Sequence, residues 1–436
     1  MNARSAPRRL VDSEFLGSPK FVNAITTITV FLAACWFPIE RMIGWPGFIA
    51  ALSTLVVLAV ASGIARRDSL DWQGILPISL IVFLGWCGLS IFWSEYQWAT
   101  LSSLLYQFAI AALAIYIALT RDVIQIVRVF GNVLRFVLGL SLVLEVISGI
   151  IVDTPIPLLG IEGNLATGEP VQGLAGDSTQ LGIIALVGGI TFWIEFTTKS
   201  LYRPVAVVSL LGAAFMLLLT RSTVLTAIAV LVTIAALVLE GIRRVRPSAR
   251  QPLTWALLAA ATVTLILGFV FRSRLLATVQ GSDQLASKLD LWRQIGILVP
   301  DNYLEGWGWI GRWRVEIPPY VGFSQIRGAG YASAYNSFLD AWLQVGLVGL
   351  VILCGLTGLA LVRSWHLAVR QPSVVYLWPA LILVCLVATS ITESAILSDF
   401  CWLTLVICVV KSANKLSWRL AFARVAPSSD LPTQRR

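Results

Sequence analysis

The feature that most constrains this chain is a repeating pattern. Stretches of mainly apolar residues recur along it, and the turns between them alternate between basic and nearly uncharged. Roughly 20 such residues cross the ~30 Å hydrocarbon layer of a bilayer as one helix. Twelve stretches fit, beginning near Phe21, Trp45, Gly74, Leu101, Val123, Ser178, Pro204, Thr223, Leu253, Asn336, Val374 and Ala395. The fifth is interrupted by Arg135 and Glu145, and the seventh and eighth form one apolar block split only by Thr220-Arg221-Ser222-Thr223. Composition agrees: 57% of the 436 residues are hydrophobic and 13% charged, about half the charged share of a soluble domain. The expected fold is an all-α polytopic membrane protein of about 12 transmembrane helices, with 1–436 as a single integral membrane domain.

The basic turns give the orientation. With the N-terminus inside, the cytoplasmic segments hold 22 Lys and Arg residues, whereas the short outer turns hold only Arg41 and Arg221. Cytoplasmic loops carry such an excess, so both termini are expected inside, and the basic MNARSAPRRL reads as a cytoplasmic tail rather than a cleaved signal. The net charge of +9 then reflects topology and anionic lipid at the inner face, with no call for nucleic acid. The six cysteines lie in or beside apolar runs without a CxxC pair, and His366 is the sole histidine. Neither a disulfide frame nor a histidine-based metal site is expected, and no cofactor is implied.

Two outer segments are elaborated. Residues 152–177 form a Gly- and Pro-rich acidic loop that includes TPIPLLGIEGNLATGEPVQGLAGD and carries Asp153, Glu162, Glu169 and Asp177. Residues 272–335, between spans nine and ten, hold Arg272, Arg274, Lys288, Arg293, Arg312, Arg314 and Arg327, interleaved with Trp292, Trp307, Trp309 and Trp313. Within it, SKLDLWRQIGILV has the spacing of a short amphipathic helix on the membrane surface, through Leu289, Trp292, Ile295 and Ile297 or Leu298. Pro300 ends it and GWGWIG reads as a tight turn. Aromatics anchor at interfaces and arginines snorkel to headgroups, which is the plainer account. The sharper one is a diphosphate site with sugar platforms, because guanidinium groups grip phosphate oxygens in pairs and indole faces stack on sugar rings. Arg221, alone at the tip of an apolar hairpin, fits either account.

The last outer loop, ITESAILSDF, sets Glu393 and Asp399 at the rim, as a general base and its orienting partner or as salt-bridge partners for the arginines. At the mouth of the tenth span, GAGYASAYNSFLDAWL gathers Tyr335, Asn336, Ser337 and Asp340. Asn336 or Ser337 suits a helix N-cap, and the four polar groups also suit the floor of a hydrated cavity. No DxD pair occurs in an outer loop, which argues against an obligatory metal–diphosphate mode of binding.

Five ordered segments resemble the bacterial O-antigen ligase and polymerase superfamily, and within it exopolysaccharide polymerases. They are GLAGDSTQLGI (173–183), LLLTRSTVLTAIAVL (217–231), SKLDLWRQIGILVPDNYLEGWGWIGRW (287–313), SAYNSFLDAWLQVGLVGL (333–350) and TESAIL (392–397). The resemblance implies a glycosyltransferase, related in fold to the membrane-embedded C-type enzymes. It would move a glycan from undecaprenyl diphosphate to an acceptor sugar hydroxyl at the outer face of the inner membrane, without metal. It further implies that Arg221 and Arg293, helped by Arg312, Arg314 or Arg327, hold the leaving diphosphate, and that Asn336 fixes geometry. The chain departs from the family twice. Tyr335 stands where the family has the histidine of His-Asn, so the proton acceptor falls to Asp340, Glu393 or Asp399 unless Tyr335 itself serves. Lys288 stands where the family has the arginine of Arg-x-x-Leu-Trp, which keeps charge but loses bidentate geometry.

Two other classes remain open on sequence. A transporter or flippase of a lipid-linked or polar solute needs facing ionisable groups within the membrane, for which Arg135 and Glu145 are the candidates. A non-catalytic relative finds its support in Tyr335.

Overall fold

The computed structural model describes residues 15–67, 77–270, 283–323, 331–397 and 399–414, with the side chains of 261–270 and 283–285 left aside. Arg272, Arg274, Arg327 and the terminal tails lie outside the described residues. Among those described, the only β-structure is one isolated bridge, Ile156 to Ile161.

A helix occupies each of the twelve apolar stretches. In chain order they are α1 (Pro19–Ala34), α2 (Trp36–Ala65), α3 (Ile78–Leu89), α4 (Gln97–Thr120), α5 (Val123–Val146), α6 (Ser178–Thr197), α7 (Arg203–Leu219), α8 (Thr223–Arg244) and α9 (Pro247–Val270). After α10 (Asp283–Leu298), within the long loop, come α11 (Ser337–Arg370), α12 (Leu377–Ser390) and α13 (Asp399–Asn414). Among the described residues, six are long and apolar enough to cross a membrane by length and composition: α2, α4, α5, α6, α8 and α11. Four more apolar helices are shorter. The chain is therefore a multi-pass helical membrane protein.

Burial sorts the helices into a centre and a rim. On α13, Trp402, Leu403, Leu405, Val406, Ile407 and Cys408 are all fully buried, and α13 packs against α4 and α12. By contrast, Val208, Leu211 and Leu218 of α7 and Val230, Ile234 and Leu237 of α8 stand exposed. Large apolar side chains facing outward in such rows suit lipid as solvent.

Hydrogen bonds tie turns together at both ends of the bundle. At one end Ser62 donates to the Leu16 carbonyl, Tyr116 to Ser62 and Arg121 to the Pro19 carbonyl, all joining predicted cytoplasmic segments. At the other end Arg41 reaches the Pro157 carbonyl, Trp93 the Glu305 carbonyl and Arg314 the Ser102 hydroxyl, all joining predicted outer segments.

The long loop differs from expectation. Its helix α10 turns the expected face inward in part: Ile295 is buried with Leu291, and with Val299 just past the helix end, while Trp292 and Leu298 pack against them and Ile297 is 68% exposed. The inward side chains join Ile310, Trp313, Tyr320, Phe323, Tyr331 and Leu343 in a second, separate apolar cluster. GWGWIG is a clamp rather than a free turn. Helix α11 breaks at Gly346 (φ 69°), and the loop backbone enters the break. There Trp307 and Gly308 amides donate to the Leu343 and Gln344 carbonyls, at 3.0 and 2.8 Å, while the Leu347 and Val348 amides donate back to Tyr303 and Leu304. A Cβ on Gly346 would run into the Leu304 carbonyl, and one on Gly306 into the Gln344 carbonyl, so both positions require glycine.

Candidate functional site

At the outer-turn end, the start of α11 is fixed from several sides. Asn336 caps the helix, accepting from the Phe338 and Leu339 amides at 3.0 Å, and donates to the Ile391 carbonyl at 3.0 Å. Ser337 donates to the Glu393 carbonyl. Asn336 thus serves as both the cap and the tie to the ITESAIL loop. Asp340, a candidate proton acceptor from sequence, is fully buried and accepts from Trp313 Nε1 (2.8 Å), Gln344 Nε2 (2.8 Å) and the Ala334 amide (3.3 Å). Three donors on one desolvated carboxylate make it an anchor for the loop. Gln344 extends that anchor, taking the Ile310 and Gly311 amides on its Oε1 at 2.8 Å.

Around this anchor lie two adjoining cavities that share Trp36, Gly311, Arg312 and Leu397. The smaller, about 280 Å³, is walled by Asp177, Gln180, Tyr335, Glu393 and Arg312, with Asp340 at its edge. Lys288 is not part of that lining but contacts it: its Nζ lies 2.6 Å from Glu393 Oε1, 3.1 Å from the Thr392 carbonyl and 4.8 Å from the Tyr335 ring centroid. Residues 105 positions apart therefore form one cluster, and it includes both departures from the family pattern. Burial raises the Glu393 pKa, Lys288 opposes that, and Asp177 adds to it; the net shift is upward. Tyr335 is pushed up to about 12, by burial first and then by Glu393, Asp177 and Tyr331. At neutral pH its hydroxyl is a poor proton acceptor.

The larger cavity, about 380 Å³, is walled by Trp36, Trp45, Ser102, Tyr106, Gln107, Arg312, Arg314 and Asp399, among others. Arg312 forms the partition. It stacks on Trp36 with 3.6 Å from its Cζ to the ring centroid and pairs with Asp399 at 3.3 Å. Tyr106 also donates to Asp399.

The remaining sequence candidates separate. Arg221 is exposed with φ 51° and sits over the acidic loop, where a Cβ on Gly168 would meet its Nη2 at 3.1 Å. Arg293 is exposed on α10. Neither lines the two cavities. Of the stacking candidates, Trp309 is fully buried edge-on to Phe83, which removes its faces from any sugar. Trp292 donates to the Ala334 carbonyl, and Trp307 is partly buried at the clamp. The aromatics that line the larger cavity are Trp36, Trp45, Tyr106 and Trp313. The transport candidates are also accounted for. Arg135 pairs with Glu195 rather than facing a partner across a pathway, and Glu145 accepts the Gly173 amide at 3.1 Å, holding the acidic loop. Sequence reading passed over Glu195, Tyr106 and Gln107; a buried polar residue amid apolar runs was the only signal they gave.

Residues 205–354 match the family model described as O-antigen ligase. That match supports the O-antigen ligase and polymerase superfamily, and with it a role in glycan ligation or polymerisation in general. No curated protein matches the chain. The matched segment contains Arg221, Lys288, Arg293, Arg312, Arg314, Tyr335, Asn336 and Asp340. Trp36, Trp45, Tyr106, Gln107, Glu393 and Asp399 lie outside it.

Proposed function

We propose that the protein is a membrane glycosyltransferase of the exopolysaccharide-polymerase type. It crosses the plasma membrane twelve times with both termini in the cytoplasm. At the outer face it transfers a glycan from undecaprenyl diphosphate to a sugar hydroxyl of an acceptor glycan. The observation that carries this reading is that Glu393 and Tyr335 line a cavity together with Arg312, while Lys288 pairs with Glu393 and lies over the Tyr335 ring.

In this reading the acceptor hydroxyl attacks the anomeric carbon as its proton passes to the Glu393 carboxylate. The anomeric carbon–oxygen bond breaks with inversion, and the bonding pair leaves on the diphosphate. Lys288 and Arg312 stand beside the reacting centre, where preplaced positive charge stabilises the leaving group most. Arg221, Arg293 and Arg314, all exposed, attract the anionic carrier, and Arg327, outside the described residues, adds positive charge to the same loop. Asp399 orients Arg312, as their 3.3 Å contact supports. Asn336 and Asp340 hold the loop and helix that present Tyr335. Tyr335, its ring over the Lys288 ammonium, positions that cation.

A strain deleted for the gene, complemented with wild type or Glu393→Gln at matched protein levels, tests this. Wild type should restore long surface polysaccharide, and Glu393→Gln should leave single units on the lipid carrier. Normal polysaccharide in the deletion strain would remove the enzymatic reading.

A further inference from the structure

The larger cavity lends Arg312, Arg314 and Asp399 to the chemistry assigned above, but the rest of its wall, Trp36, Trp45, Ser102, Tyr106 and Gln107, has no part in it and is a built site. Gln107 is only 2% exposed and lines the cavity, and its Nε2 meets no hydrogen-bond acceptor among the described residues. A buried amide donor without a partner is costly, about 1–3 kcal/mol, and asks for a reason. Around it stand the aromatic surfaces of Trp36, Trp45 and Tyr106. The other polar groups there are engaged: Arg312 and Tyr106 with Asp399, and Arg314 with Ser102 Oγ at 2.8 Å. Flat apolar faces edged by an unpartnered amide suit sugar rings, which are apolar on their faces and polar at their rims. A free diphosphate would find little uncommitted positive charge. The volume of about 380 Å³ lies at the small end of ligand pockets, about 300–1,000 Å³, and accommodates a short run of rings.

We infer that this cavity is a saccharide subsite for the acceptor glycan, separated from the reacting centre by Arg312, and that Gln107, Trp36 and Trp45 determine which sugar it takes. The inference rests on the transferase reading above. Sugar choice would then be set by residues outside the 205–354 family match, on α2 and α4. The Arg312 partition places the far end of a bound acceptor beside Glu393, because Arg312 borders both cavities.

The test uses the full chain in nanodiscs. Its probe is carrier-free oligosaccharide released by mild acid from the host's own surface polysaccharide, with binding followed by saturation-transfer NMR. Gln107→Leu removes an unpartnered donor, so its thermal stability should equal or exceed that of wild type, while oligosaccharide binding weakens about tenfold, the scale of one lost hydrogen bond. Ser102→Trp fills the cavity and should abolish binding. Inorganic pyrophosphate should not compete. The inference is overturned if Gln107→Leu and Ser102→Trp both bind like wild type, if pyrophosphate displaces the sugar, or if wild type binds none. Failure of the transferase reading shows separately, as unchanged polysaccharide in the deletion strain.

Discussion

At Glu393 two opposing influences meet: burial favours the neutral acid, and Lys288 at 2.6 Å favours the carboxylate. Burial is the larger, so the group ionises above the ordinary carboxylate range. If Glu393 takes the acceptor's proton it must be ionised, and transfer should fall as pH drops through its raised pKa. Lys288→Met removes the influence that lowers that pKa, so the acidic limb of the pH–rate profile should move to higher pH. An unmoved limb would show that another group titrates. Tyr335 carries the complementary expectation. With its pKa pushed up to about 12 it stays protonated at working pH, so Tyr335→Phe, which keeps a ring over Lys288, should retain transfer within about tenfold. Glu393→Gln should cost about a hundredfold or more, the lower range for losing a general base. Complete loss in Tyr335→Phe would return the proton to the position where the family has histidine.

The break in α11 is the element on which the site depends. Gly346 holds φ 69° against the Leu304 carbonyl, so Gly346→Ala meets both strain and collision. It should lower stability by about 1–3 kcal/mol, measured as earlier thermal unfolding in detergent, together with loss of transfer. An Ala variant as stable as wild type would mean that the clamp contributes little. The helices were legible because long apolar runs announce themselves locally, although only six of those described are long and apolar enough to cross a membrane. What covers α10 was not, because Tyr320, Tyr331 and Leu343 lie far along the chain, and periodicity names an apolar face without saying what packs on it. The anchoring role of Asp340 was hidden for the same reason: its donor Trp313 comes from the loop 27 positions earlier. Lys288 and Glu393 were each visible as candidates, but nothing local joins residues 105 apart. Trp309 was misread because composition cannot distinguish a tryptophan that faces solvent from one under Phe83.

At the scale of the molecule, the account needs the Arg/Trp loop outside and the basic turns inside. In a Cys354→Ser background, which removes the exposed native thiol, single cysteines at two exposed positions test this: Asp301→Cys beside α10 and Ser248→Cys in α9. A membrane-impermeant maleimide should label Asp301→Cys in intact spheroplasts and Ser248→Cys only after permeabilisation. The reverse pattern would turn the site toward the cytoplasm and remove access to an outward-facing lipid-linked donor.

The most direct test of the central claim is made on the purified protein in lipid vesicles, supplied with its own lipid-linked repeat units. Polyprenyl diphosphate release and new glycosidic bonds are counted together for wild type and Glu393→Gln. The account predicts one diphosphate released per bond formed in wild type, and both lost together in Glu393→Gln. Bond formation by Glu393→Gln at the wild-type rate would contradict it.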